Sequence, residues 1–184
     1  MAAITIRRLA NFAPRLRAGD FSPASTYILG QDAQKPSDGI LRTLTQLATS
    51  AQAAAESAAC ASILAGNSTD GDSEEGGDGD VAVWLGPGEF GKGKEKNVLA
   101  QLGLDSNYKT SPVTFSPSGI PATVTPSDTA ALKDFATKLE GLSDRHCFSV
   151  RPPDSSEVLF SLVGKAAGDA GWGGLVGIGT ILDD

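Results

Sequence analysis

Apolar positions recur with a helical period over one long stretch of the chain. Ile40, Leu44, Leu47, Ala51, Ala54 and Ala58 form a stripe, and Leu41, Ala48, Ala55 and Ala59 widen it. Ser37 after Pro36 is a good N-cap, and Gly66 can turn left-handed and stop a helix. The pattern predicts a helix over 38–65, about 40 Å long at roughly 1.5 Å per residue. Its second half offers Ala where the first offers Leu, so a neighbouring backbone can come close. Only Asp38, Arg42 and Glu56 are charged in it, a poor outer face for a lone surface helix. The helix is expected to pack on more than one side, under its own sheet or against another subunit; the alternative is a surface helix with a weakly polar outer face.

A second helix is predicted over 128–140, with Ser127 as cap. Leu132, Phe135, Ala136, Leu139 and Leu142 share its inner face, and Asp134 precedes Lys138 by four residues on the outer one. Val81–Leu85 reads as a strand, and Val98, Leu99 and Leu102 as a short helix closing at Gly103. Residues 112–115 and 122–124 are short β-prone pieces that Pro112, Pro117, Pro121 and Pro126 confine to edges or extended loops. Residues 147–150, 158–163 and 175–182 read as strands, the last two separated by a Gly-rich loop. Consecutive strands near the end favour antiparallel pairing. The expected fold is a single α+β domain over 1–184, its long Ala-rich helix and amphipathic second helix packed on one face of a mixed or mainly antiparallel sheet.

The N-terminal 19 residues carry Arg7, Arg8, Arg15 and Arg17 and no acid. Ala3–Arg7 reads as a first strand, or Leu9, Phe12 and Leu16 as the inner face of a short helix interrupted at Pro14. The arginines also suit a basic arm on an acidic partner surface, or a mitochondrial presequence. No secretory signal or membrane-spanning stretch stands out, and with 40% hydrophobic residues in 184 the chain can build a core as a soluble protein.

Charge sharpens the organisation. Residues 70–80 hold six acids and four glycines, and removing those acids takes the net charge from −7 to −1. The segment 67–80 is expected to be a flexible acidic loop whose run, 70–80, can be deleted without loss of folding. An EF-hand loop starting at Asp70 needs Gly at 75 and Glu at 81, where Glu75 and Val81 stand, so no metal site is expected. Two cysteines, Cys60 and Cys147, are too few for a disulfide framework or a zinc site, although they could pair with each other. The acidic balance and scarce aromatics disfavour nucleic acid.

Gly86–Gly93 fits G-x-x-x-x-G-K after a strand and before a helix, and so resembles a phosphate loop, with Gly86, Gly88, Gly91 and Lys92 as candidate ligand-binding residues. Gly93 stands where the magnesium-binding hydroxyl belongs, and Pro87 removes a backbone donor. His146 is the single histidine and the catalytic candidate; on a strand it points away from Cys147, so the two do not form a nucleophile–base pair.

The first functional expectation is a non-catalytic assembly or protein-binding module, with a protein partner or a second copy of itself and no cofactor, nucleic acid or membrane. Leu44, Leu47, Ala51, Trp172, Leu175 and Ile178 are its candidate interface. The alternative is a small enzyme or ligand-binding protein with a pocket between helices and sheet, using His146 or the Gly86–Gly93 loop for an anionic ligand.

Overall fold

The computed structural model describes residues 2–22, 25–66, 79–116, 119–121 and 128–180. In chain order the elements are α1 (Ala2–Phe12), β1 (Arg17–Ser22), β2 (Ser25–Leu29), α2 (Asp38–Ser57), β3 (Val81–Gly86), α3 (Glu95–Leu102), β4 (Thr110–Val113), α4 (Ala130–Leu139), β5 (Leu142–Val150), β6 (Glu157–Ala166) and β7 (Trp172–Thr180). The strands form one sheet in the order β1-β2-β3-β7-β6-β5-β4. Within it β2 and β3 run parallel, and every other neighbouring pair is antiparallel. The domain is therefore α+β with a mixed sheet, as the order of elements implies.

Side-chain alternation divides the core into two layers. On one face Leu9 of α1 and Val98, Leu99 and Leu102 of α3 pack with Ile28, Val83, Phe148, Val163 and Val176 of the sheet. On the other, Leu47, Ala51, Ala54 and Ala55 of α2 and Leu132, Phe135 and Leu139 of α4 pack with Cys147, Phe160, Leu162 and Leu175. The two expected helices do lie on one face; α1 and α3 cover the second. Each fully buried Leu or Phe in these layers contributes roughly 1.5–3 kcal/mol of burial free energy.

The long charge-poor helix has its close neighbour inside the chain, because α4 lies alongside its alanine half. Ser57 Oγ and Thr129 Oγ1, 2.9 Å apart, join the end of α2 to the start of α4. Leu44, Leu47, Ala51, Leu175 and Ile178 are at most 2% exposed and Trp172 is 9% exposed. All six candidate interface residues are thus covered by the chain's own core.

Helix α2 stops at Ser57, eight residues before the expected end at 65. Ala59 takes a left-handed conformation (φ 53°), Cys60 N donates to Ala55 O and Ala59 N to Glu56 O. This pair of bonds is a Schellman closure, with alanine where glycine is usual. Gly66, the expected stop, closes a separate turn by donating from its amide to Ser62 O. Helix α4 is capped by Thr129, whose Oγ1 accepts from Leu132 N at 3.2 Å; the expected cap Ser127 and the β-prone piece 122–124 fall outside the described residues.

The N-terminal segment forms helix α1. Leu9 is buried, and Arg8 Nε donates to Glu157 Oε1 at 2.7 Å, tying the helix to β6. Arg17 Nη1 donates to the carbonyls of Gly30 and Ala33 at 2.7 and 3.3 Å, bracing the segment after β2. These two arginines serve the fold itself.

Most of the acidic run lies outside the described residues, but its last acid is core. Asp80 is 7% exposed; its carboxylate accepts from Ser62 Oγ at 2.6 Å and Ile63 N at 2.7 Å, and from the Leu64 amide. Burial pushes the Asp80 carboxyl up to about 6, against the pull of these donors. A deletion that takes Asp80 with the run removes a buried anchor, so the expectation that 70–80 is dispensable fails at that residue.

Candidate functional site

The parallel pair β2 and β3 sets up the candidate site. The chain leaves β2 through residues 30–37 into α2 on one face, and leaves β3 through residues 87–94 into α3 on the other. Where connections from adjacent parallel strands diverge in this way, a crevice opens outside their carboxyl ends, the usual ligand position in α/β sheets. A cavity of about 420 Å³ lies there. Asp32 to Ser37 form one wall, Trp84, Leu85 and Pro87 the floor and second wall, and Gln101 and Ala170 the rim.

Local sequence explains why the walls hold. Gly30 N donates to Trp84 O at 2.8 Å, continuing the β2–β3 pairing past the strand end. A Cβ at Gly30 would sit 2.7 Å from Gln101 Oε1 and 3.2 Å from Leu85 Cα, so a side chain there would displace the Gln101 amide from the rim. Gly86 adopts φ 78° to turn the chain off β3, and a Cβ there would meet Ala33 at 3.3 Å. Gln101 and Asp32 lock the rim reciprocally: Gln101 Nε2 donates to Asp32 Oδ2 at 3.0 Å, and Asp32 N donates to Gln101 Oε1 at 3.1 Å.

One polar atom at the crevice has no protein partner. Trp84 is only 3% exposed as a residue, but its indole N–H has no hydrogen-bond partner among the described residues and is open to the cavity. The first turn of α2 also borders the crevice, where the Asp38 and Gly39 amides precede the helix's internal bonding and Ser37 Oγ holds Ile40 N at a long 3.5 Å. A shallower apolar groove of about 340 Å³ continues past Ser37, Ile40 and Ala170 along Leu44, Leu142 and Ala166.

The Gly86–Gly93 loop has the strand–loop–helix context expected of it. Its interior is filled by a side chain: Phe90 is 5% exposed, and a Cβ at Gly88 would lie 2.6 Å from its ring. Gly91 faces Trp172, and Gly93 N donates to Glu95 Oε1 at 2.9 Å. Lys92 is exposed. The loop's donors and concavity are thus largely occupied from within, and its contribution to the crevice is the wall at Pro87.

His146 reaches that loop from the far side. Its Nε2 donates to Phe90 O at 2.7 Å, and its ring stacks on Phe148 with centroids 5.8 Å apart. Glu95 Oε1 is 3.8 Å from Nδ1, beyond hydrogen-bond range. Cys147 faces the α2–α4 layer, opposite to Phe148, as strand alternation requires. The imidazole is 6% exposed and braces the loop against β5. His146→Ala is expected to lower the unfolding free energy by about 2–4 kcal/mol, by opening a cavity and orphaning the Phe90 carbonyl; urea denaturation measures it.

Cys60 and Cys147 are free thiols. Burial, and then the negative charge of Asp80, push Cys60 up to about 11 and Cys147 up to about 12, which keeps both protonated and unreactive at neutral pH. No group of three or more His, Cys, Asp or Glu side chains placed to hold a metal is found among the described residues, and no described helix is long and apolar enough to cross a membrane. No family model, curated protein or solved structure matches this chain.

Proposed function

We propose that this protein binds a small molecule in the crevice at the carboxyl ends of β2 and β3. The observation that carries this reading is the unpartnered indole N–H of Trp84 on the floor of a 420 Å³ cavity at a topological switch point. That N–H opens onto the cavity and is not among the fully buried unpartnered atoms, so solvent serves it in the free protein. A ligand acceptor in the crevice takes the place of that water.

This is the ligand-binding alternative of the sequence, moved from His146 and the glycine-lysine loop to the crevice on the other side of Pro87. The six side chains named for an assembly interface are covered by the chain's own core, so those residues offer no docking surface.

Ala170 offers a clean test. It is exposed, right-handed in backbone conformation and on the rim of both cavities. Ala170→Trp is expected to fill the mouth of the crevice while leaving stability within about 0.5 kcal/mol. Small molecules retained through purification, identified by mass spectrometry after denaturation, should be at least tenfold depleted on the variant. Equal retention on both proteins would remove the crevice from the account.

A further inference from the structure

Resting on the crevice reading, the geometry points to a ligand class: we infer a carboxylate with an extended apolar body, its head in the crevice and its chain in the adjoining groove. Three donor groups line or border the head position. Trp84 supplies an indole N–H with no partner among the described residues. Helix α2, 20 residues long, presents its first turn and the positive end of its dipole. Lys35 lines the same wall, exposed and with no ion-pair partner among the described residues.

Two acids stand nearby and do not reverse this balance. Asp32 already accepts from Gln101 Nε2, and Asp38 is exposed on the first turn of α2. A cationic head has worse company, because Lys35 and the helix dipole oppose it. An uncharged head forgoes both of those attractions.

The groove sets the rest of the molecule. It shares Ser37, Ile40 and Ala170 with the crevice, so the two spaces are contiguous across the start of α2. Leu44, Leu142 and Ala166 give it apolar walls, and no charged side chain lines it. A hydrocarbon chain entering it is removed from water at about 0.8 kcal/mol per CH₂ fully buried. Polar crevice and apolar groove together describe an amphipathic acid.

The test is calorimetric titration of the full chain with four probes: octanoate, octylamine, octanol and inorganic phosphate. Octanoate is expected to bind, with octylamine and octanol at least tenfold weaker and phosphate without its chain also at least tenfold weaker. Trp84→Phe keeps a ring while deleting the donor, and Lys35→Gln deletes the charge without touching the core. Each should weaken octanoate about tenfold, the value of one charge-assisted hydrogen bond. Far-UV circular dichroism confirms that both variants fold.

The outcomes separate the two claims. If octylamine or octanol binds as tightly as octanoate and Ala170→Trp abolishes it, the crevice stands and the carboxylate assignment falls. Octanoate binding that survives Ala170→Trp overturns both. Octanoate binding unchanged in Trp84→Phe and Lys35→Gln, or no octanoate binding, overturns the carboxylate assignment.

Discussion

Replacing Asp80 by Ala is expected to lower the unfolding free energy by about 3–5 kcal/mol, a large share of the stability of a domain this size. The carboxylate closes the turn that follows α2, accepting from Ser62 Oγ and the Ile63 and Leu64 amides. Truncation leaves all three donors without their acceptor in a site closed to water. Ser62 Oγ also accepts from Ala65 N at 3.0 Å, so the whole turn loosens together.

The same residue imposes a pH dependence of definite sign. Its folded pKa of about 6 stands above the ordinary aspartate value of 3.8, so the folded state binds the proton more tightly than the unfolded one. The stability this proton confers is fully present below about pH 3.8 and is lost as pH rises through about 6. Asp80→Asn removes the titration while keeping a carbonyl acceptor. The difference in unfolding free energy between wild type and Asp80→Asn should therefore shift by about 2–3 kcal/mol in favour of wild type between pH 7.5 and pH 4. Urea denaturation of both proteins across that range gives it directly; a pH-independent difference would contradict the assignment. Taking the difference cancels the titration of the other carboxylates.

The second large effect is expected at Gly174, in the centre of the sheet. A Cβ there would overlap the Leu162 carbonyl oxygen and lie 2.9 Å from its carbon and 3.2 Å from Val163 Cα. These are backbone atoms of β6, pinned by the β6–β7 ladder, where Gly174 pairs with Val163. No rotamer change relieves the overlap. Gly174→Ala should cost at least about 3 kcal/mol, at or beyond the upper end for overpacking. Gly39→Ala is its control, since a Cβ there meets nothing within 4 Å on the exposed first turn of α2. That substitution should stabilise by about 0.5–1 kcal/mol. Thermal unfolding of the two variants distinguishes the cases.

What was legible in the sequence tracks how local the determining physics is. Helices α2, α3 and α4 and strand β3 follow from periodicity and caps within a few residues of each other. The end of α2 escaped because Ala59, lacking the glycine signature, adopts the left-handed closing position. The β1–β2 hairpin escaped because Arg17–Ser22 carries no alternation to mark it. Asp80 looked like one acid among six, and only the return of the chain against Ser62–Leu64 makes it core. The candidate site depends on more distant relations still. Trp84 read as part of an ordinary strand, and its significance comes from the parallel pairing of β2 with β3 and the departure of α2 and α3 to opposite faces. His146 was noticed for its chemistry, whereas its bond to Phe90 O gives it a bracing role.

The central claim, that the crevice over β2 and β3 holds an amphipathic carboxylate, is tested most directly at the indole nitrogens. In protein carrying ¹⁵N-tryptophan, Trp84 and Trp172 give two side-chain resonances, assigned with Trp84→Phe. On titration with octanoate the Trp84 N–H resonance should move downfield and saturate as it gains an acceptor, while Trp172, on the opposite face, stays in place. A Trp84 resonance that does not move, or moves no more than that of Trp172, would contradict the account.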